Sequence, residues 1–349
     1  ELRSEAIPAL VLGDGHGVYT EWSAVLEEGG EEEIPLPLVP RDLDGTYIIM
    51  YTSGTTGDPK GVALTGRSLY RTIVESLNVI EVLRSDNFLS VLPLYHILAL
   101  VVNLILPMYV GCRVTLLDVL DPQRILKTFR EEGITIFVCV PQFYYVLQRR
   151  ILQEVERQKP LLKLVFKQLL RISRFCNERL NLNPGKRFFS KVHAQFGPQF
   201  RLFGVGGARF DLEIAESLRD LGFELIQAYG LTETASVATV ALANSEDLGS
   251  VGKPLPHVNL EIANPDNEGI GEILLRGESV MEGYYKNAQA TNEAARTTWS
   301  GRRPLLLAAA LPATKAKRMA GIMAKSPSSM VAGARWRMPS STDCRQAGE

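Results

Sequence analysis

Between Tyr51 and Val62 the chain reads YTSGTTGDPKGV. Thr52, Ser53, Thr55 and Thr56 offer hydroxyl donors, and Gly54, Gly57 and Gly61 let a backbone come close to a ligand. Lys60 adds one strong cation. A segment rich in donors, permissive at glycine and singly cationic suits a polyphosphate, above all where it follows an apolar strand and precedes a helix. A plain surface turn is the competing reading, because Gly, Ser, Thr, Asp and Pro dominate turns anyway. The spacing is not that of the Walker loop, which ends in Gly-Lys-Ser/Thr.

YTSGTTGDPKGV closely resembles the signature phosphate loop of the adenylate-forming, or AMP-binding, superfamily of acyl-CoA synthetases, luciferases and peptide-synthetase adenylation domains. Further segments fall in that family's order. VGGARF, with Gly204 before it and Phe210 at its end, looks like the loop lining the acyl and adenine pockets, which gives Gly206, Gly207 and Ala208 a binding role. QAYGLTET, Gln227 to Thr234, is similar to the adenine and magnesium motif. By that resemblance Gln227, Tyr229 and Gly230 meet the adenine, Thr232 contacts phosphate and Glu233 holds Mg²⁺. LPLYH, Leu92 to His96, resembles the segment where an aromatic residue and His96 border the acyl channel. GSVGKPLP and GEILLRGESVMEGYYKN, between Gly249 and Asn287, match the glycine-rich end of the family's large domain. Each residue also has a bland reading: Tyr229 as a core aromatic, Glu233 as a carboxylate favoured at a helix N-terminus, His96 as a hydrogen-bonded structural residue. The shared order and spacing over about Asp44 to Asn292 carry the resemblance, not any one of them.

The resemblance implies ATP-dependent conversion of a carboxylic acid to an acyl-adenylate, transfer to coenzyme A, and release of AMP and pyrophosphate. Both reactants are anions, so Mg²⁺, backbone donors and a lysine must neutralise charge where it develops. No covalent protein nucleophile is needed, in keeping with a sequence that shows no Ser-His-Asp or reactive-Cys pattern. The long helical stretch before VGGARF, with VMEGYYKN, looks most like long-chain fatty-acid–CoA ligases. The apolar run Ile97–Leu106 and the strands near Val138 and Phe203 are expected to wall a tunnel for a fatty acid. Two alternatives stay open: a non-catalytic nucleotide- or acyl-binding remnant, and an acyl-AMP ligase loading a carrier protein.

Placing these motifs requires an α/β fold. Short apolar runs (Tyr47–Tyr51, Phe88–Leu92, Arg113–Leu117, Ile136–Val140, Phe200–Val205, Glu224–Tyr229) alternate with helical patterns. That alternation predicts mostly parallel sheets flanked by helices, the large-domain fragment of the adenylate-forming fold, followed by a small β-rich subdomain. Thr65 is placed to cap a helix reaching Leu83. A helix is expected to follow Phe88–Leu92 and end near Tyr109; its apolar run Ile97–Leu106, broken by Pro107, is too short to span a bilayer. Asp121-Pro122 opens a helix that Gly133 closes. The expected divisions are a partial N-terminal segment 1–43, an α/β AMP-binding core 44–244, a β-rich subdomain 245–294 and an aberrant, disordered tail 295–349.

Composition narrows the classes. Lys and Arg number 38 against 39 Asp and Glu, so no global field favours nucleic acid. The four cysteines, Cys112, Cys139, Cys176 and Cys344, and the four scattered histidines show no metal spacing, and a reducing, cytoplasmic compartment fits them. LLKLVFKQLLRISRF, between Leu161 and Phe175, is a basic amphipathic helix. It suits peripheral membrane contact, although a solvated face over a packed stripe is commoner. The tail from Ala295 lacks the ribose-binding aspartate and catalytic lysine that the resemblance calls for, and few residues precede the phosphate loop. The chain is therefore expected to be a fragment, inactive by itself.

Overall fold

The computed structural model describes residues 42–52, 59–118, 121–180, 182–242, 248–267 and 269–294, with the backbone of short strands at 10–11, 20–21 and 306–308. The chain divides into two units, Glu1–Asp42 and Leu43–Glu349. Within the first, β1 (Leu10–Val11) pairs in parallel with β2 (Thr20–Glu21). The second begins with β3 (Thr46–Thr52), β4 (Lys60–Thr65), helix α1 (Gly66–Leu77) and β5 (Asn87–Ser90). A composite helix α2 joins Ile97–Leu100, a π turn Val101–Ile105 and Leu106–Val110. Then come β6 (Arg113–Leu116), α3 (Pro122–Glu131), β7 (Ile136–Cys139), α4 (Pro141–Glu156) and α5 (Pro160–Leu180). Two single turns, α6 (Gly185–Phe188) and α7 (Ser190–His193), lead to β8 (Leu202–Val205), α8 (Leu212–Asp220) and β9 (Glu224–Tyr229). The series closes with β10 (Thr239–Ala241), β11 (Lys253–Pro254), β12 (Asn259–Ala263), β13 (Glu272–Arg276), β14 (Gly283–Tyr284), α9 (Ala288–Ala294) and β15 (Leu306–Ala308).

Five of these strands form a parallel sheet in the order β6-β5-β7-β8-β9, and β10 and β11 extend it antiparallel. Its strands are short and apolar, as a sheet covered on both faces requires. The period of two sends alternate residues to two different cores. On one face Phe137, Cys139, Phe203 and Val205 meet Phe129, Phe196, Phe200, Phe223 and Tyr144. These rings pack edge to face, with Phe129–Phe137 centroids 5.4 Å apart and Phe196–Phe203 5.6 Å apart. On the other face Phe88, Ile136, Leu202 and Ile226 meet aliphatic residues of α1 and α2. Cys139 lies in the aromatic core, where burial pushes its thiol up to about 12 and makes it a small inert hydrophobe.

Caps follow the expected chemistry. The Thr65 hydroxyl accepts from the Ser68 N–H at 3.1 Å, and the Asp121 carboxylate accepts from the Arg124 N–H at 2.8 Å with Pro122 in the first turn. Gly133 ends the second helix at φ +64°. Helix α1 stops at Leu77, short of Leu83, because Val79, Ile80 and Val82 turn into the aliphatic core. Pro107 does not break the next helix. The π turn just before it widens the spiral, and the Leu106 N–H reaches back to the Val101 carbonyl, which makes room where a proline ring would otherwise collide.

The stretch 245–294 does not close on itself. β11 joins the central sheet, β12 pairs with β13 and β13 with β15, and β14 pairs with β4 in a sheet ordered β14-β4-β3. Leu306–Ala308 therefore forms a strand inside the tail expected to be structureless; the rest of 295–349, Cys344 included, lies outside the described residues.

One buried network ties the starts of β5, β7 and β8 together. The Arg201 guanidinium grips Asp86 through Nε at 3.0 Å and Nη2 at 2.6 Å, and the Leu83 N–H and Thr135 hydroxyl also donate to that carboxylate. Burial alone would raise the Asp86 pKa, but these donors outweigh it and hold the group below its ordinary value of 3.8. A depressed carboxylate contributes stability above the ordinary value and loses it as pH falls below 3.8 towards the folded one. Asp86→Asn should cost about 2–3 kcal/mol at neutral pH, since Arg201 keeps some access to water, and should flatten the acid limb of the stability curve below about pH 4. Urea denaturation across pH measures both effects; an unchanged acid limb would remove Asp86 from this role.

Candidate active site

Three segments distant in sequence converge beside β4. Gly283 and Tyr284 pair with Ala63 and Val62, and the flanking Glu282 and Tyr285 N–H groups donate to the Ala63 and Gly61 carbonyls at 3.1 and 2.7 Å. The Met281 N–H donates to the Glu233 carbonyl at 2.7 Å, which draws in the turn after β9. The Tyr284 hydroxyl then donates to Glu233 Oε1 at 2.9 Å, while Lys60 Nζ lies 5.4 Å from the Tyr284 ring centroid. One tyrosine thus stands between the lysine of the glycine- and hydroxyl-rich loop and the carboxylate of the QAYGLTET turn, its hydroxyl on Glu233 and its π face towards Lys60.

The electrostatics follow. Burial, then the Glu233 charge and the hydrogen bond to it, push the Tyr284 phenol well above its ordinary value. Burial first and the Glu233 charge second push Tyr229 up to about 12. Both phenols keep their protons at neutral pH, and Tyr284 donates its own to the Glu233 carboxylate. Tyr229 is half-buried against the third core cluster, which also holds Ala238, Val251, Leu260, Ile273 and Leu275.

Local strain shapes the turn that carries Glu233. Thr232–Thr234 is one 3₁₀ turn closed by the Leu231 N–H donating to the Thr234 hydroxyl at 2.9 Å. Ala235 at φ 50° and Ser236 at φ 92° then throw the chain back into β10. A Cβ on Gly230 would lie 2.0 Å from the Ser236 carbonyl oxygen, so this glycine is required by the reversal whatever it does for a ligand.

The remaining expected residues divide. Thr52 faces Lys60 in the β3–β4 register; Ser53, Gly54, Thr55, Thr56 and Gly57 lie outside the described residues. This loop links strand to strand, not strand to helix as expected: Val62, Ala63 and Leu64 form a buried central strand that delays the helix until Gly66. Gly206 is buried between Leu98 and the Ala228 carbonyl, Gly207 holds φ +80°, and Ala208 is exposed at the surface. The Gln227 side chain is buried and donates to the Leu248 carbonyl at 2.5 Å, an internal tie. Thr232 is half-buried in its turn. His96 stands exposed at the head of α2 with its ring against Tyr95, centroids 4.5 Å apart; no hydrogen bond joins it to Glu233 among the described residues.

Below these strand ends an apolar cavity of about 60 Å³ opens between the sheet and helices α1 and α2. Leu98, Val102 and Leu106 face Val138, Gly204 and Ala228 across it, and its lining holds no charged side chain. The strand at Phe203 lines the cavity through Leu202, Gly204 and Val205, while the Phe203 ring lies on the opposite face in the aromatic core, because neighbouring residues of a strand alternate. Gly204 occupies the wall because a Cβ there would meet Val138 Cγ2 at 2.7 Å. The cavity ends where β8 and β9 give way to Gly206 and Tyr229, the carboxyl edge at which open α/β sheets bind ligands.

Comparison with known proteins gives the family. The family model described as AMP-binding enzyme matches residues 6–285, and the chain belongs to that family. Long chain acyl-CoA synthetase 7, peroxisomal, of Arabidopsis thaliana is 30% identical over 308 residues, covering 83% of this chain and 42% of that protein. Malonate–CoA ligase of the same plant is 28% identical over 264 residues, covering 72% of this chain and 38% of that protein. Among solved structures, the o-succinylbenzoate coenzyme A synthetase of Bacillus subtilis in complex with ATP and magnesium ion superposes with a TM-score of 0.57 at 25% identity, covering 76% of this chain and 47% of that one. The chain spans less than half the length of these curated relatives.

Tyr284 is the site residue that motif reading passed over. It lies inside GEILLRGESVMEGYYKN, but its partners Lys60 and Glu233 are set by long-range pairing with β4, which leaves no local signal. Tyr284→Phe keeps the ring beside Lys60 and removes the donor to Glu233, and should cost about 1 kcal/mol in urea denaturation. Gly230→Ala should cost more, about 1–3 kcal/mol, from the forced displacement of Ser236. A neutral Gly230→Ala would show that the reversal does not depend on that glycine.

Proposed function

We propose that this chain is the nucleotide- and acid-binding part of an AMP-forming ligase that activates a fatty acid with ATP and hands it to coenzyme A, releasing AMP and pyrophosphate. The observation that carries the fatty-acid choice is the cavity wall, which is aliphatic and free of charged side chains. A short dicarboxylate such as malonate would bring a second carboxylate that no cation in this wall could neutralise. The likeness to malonate–CoA ligase therefore supports the ligase reading without favouring a small substrate.

In this reading the loop after Thr52 and the Lys60 cation hold the ATP phosphates, and Tyr229 offers its flat face to the adenine. Glu233 suits a magnesium ion: it is a hard oxygen ligand, half-exposed, with one oxygen fixed by Tyr284, and Mg²⁺ ordinarily takes one or two carboxylates plus substrate phosphates. Bound there, the ion would neutralise phosphate charge as the adenylate forms. Lys60 and Glu233 are held at a fixed spacing by Tyr284, so the cationic and anionic parts of the site are set before ligand arrives. The cavity beneath Gly206, about 60 Å³, takes the carboxyl-proximal methylenes of the acyl chain, which leaves its carboxylate at the strand ends.

Titration calorimetry with Mg·ATP tests the nucleotide half. Lys60→Ala and Glu233→Gln should each weaken binding by about tenfold or more, the usual loss of one charge-assisted contact, while the unfolding midpoint stays near that of the parent. Binding that ignores both substitutions would sink the assignment. For the acid half, affinity should rise about fourfold per added methylene until the cavity is full, and Val102→Phe should shorten the preferred chain. Equal affinity for acetate and long-chain acids would argue against an acyl cavity. AMP release measured with coenzyme A, with a carrier protein and with neither separates this reading from carrier loading.

A further inference from the structure

Helix α5 has two apolar faces, and among the described residues only the inner one is packed. Phe166, Leu169 and Leu170 turn inward and pack against the aromatic core, and Ser173 is fully buried. On the opposite side Leu161, Leu164, Val165, Ile172 and Phe175 recur at helical spacing. They remain open to solvent: Leu161 is 70% exposed, Leu164 56%, Ile172 49% and Phe175 59%. A solvated helix face normally carries polar residues, so a stripe of this kind marks a surface that something covers.

The charge around it is as lopsided as the hydrophobicity. From Arg157 to His193 the sequence holds ten lysines and arginines against a single carboxylate, Glu178, within a chain whose net charge is −1. Arg157, Lys163 and Arg174 are engaged in ion pairs with Glu154, Glu156 and Asp220. Lys167 and Arg171 are exposed along one flank of the stripe, and Lys186, Arg187 and Lys191 are exposed just beyond the helix. Long basic side chains can lay their stems along apolar surface while their heads reach a polar layer. An apolar stripe bordered by cations is the arrangement that seats a helix in the plane of a lipid interface.

We propose that the outer face of α5 docks on an anionic membrane surface, with Leu161, Leu164, Ile172 and Phe175 entering the acyl boundary and Lys167 and Arg171 meeting the headgroups. Contact is peripheral, since no described helix is long and apolar enough to cross a bilayer. Charge selects this occupant over a second copy of the chain, because two α5 faces brought together would oppose their own cations. The inference stands independently of the nucleotide site, as no α5 residue belongs to that site.

Sedimentation of the 349-residue chain with vesicles tests it. The chain should pellet with vesicles of phosphatidylcholine and phosphatidylserine, much less with phosphatidylcholine alone, and raised salt should release it. Leu164→Glu with Phe175→Glu should reduce the bound fraction at least tenfold, since both lost apolar area and added charge act in the same direction. Lys167→Glu with Arg171→Glu should reduce it about fivefold for each cation removed. Leu116→Glu, an exposed site on edge strand β6, should leave binding unchanged, and circular dichroism should show all variants folded. The proposal is overturned if no vesicle binds the parent chain, if the α5 substitutions leave binding intact, or if they instead abolish a concentration-dependent dimer in the absence of lipid.

Discussion

Two residue pairs between β14 and β4 hold the candidate site in one piece. The loop lysine, the Glu233 turn and the Tyr284 segment are separated by long stretches of chain, and nothing local obliges them to meet. β4 is the common element: it pairs with β3 on one side and β14 on the other, and its residues Val62 and Leu64 are fully buried. Because the sheet fixes Tyr284 directly across from Val62, the tyrosine hydroxyl reaches Glu233 without a long flexible lever. A rigid aromatic strut loses little conformational entropy when it links a cation to an anion, whereas a direct Lys60–Glu233 pair would neutralise both and leave neither for a ligand. The interposed ring keeps lysine and carboxylate near one another and available.

The sheet beneath supplies two cores with different properties. Its aromatic face is closed by interlocking rings, with the Tyr144 hydroxyl donating to the Gly204 carbonyl at 2.6 Å inside it. Its aliphatic face is thinner: Gly204 contributes no side chain there, and a cavity persists under α2. Branched aliphatic side chains over a glycine leave a gap that flat rings of larger area would fill. The same strand thus backs interlocking rings on one side and a small apolar cavity on the other.

What the sequence made legible followed from local physics. Alternating apolar runs located the parallel strands to within a residue or two, and Thr65 and Asp121 cap helices as side-chain oxygens followed by helical periodicity imply. The motif order gave the family. The errors were those where tertiary contacts outweigh local preference. VALT after the loop read as a helix approach, yet it is a strand because β3 and β14 both need a partner. The strand at Phe203 does line the apolar cavity, through Leu202, Gly204 and Val205, while alternation sends the Phe203 ring to the other core. The partner of the buried Gln227 amide, the Leu248 carbonyl, is brought near only by folding and had no local signal.

The π turn in α2 shows how local geometry and site architecture are coupled. A regular helix through Pro107 would lose a hydrogen bond and drive the ring into the preceding turn. Widening the spiral at Val101–Ile105 removes the clash and also sets the position of Asn103, a fully buried residue whose amide donates to the Val138 carbonyl at 3.1 Å. That bond crosses from the helix to the strand beside the cavity. The Asn103 Oδ1 has no partner among the described residues, a deficit of about 1–3 kcal/mol that an apolar residue of similar size would not incur. The compensation is directional. Leu98, Val102 and Leu106 could slide over the aliphatic face of the sheet with little change in buried area, because hydrophobic contact is non-directional. A single amide on a single carbonyl admits one register, and that register gives the cavity its outline.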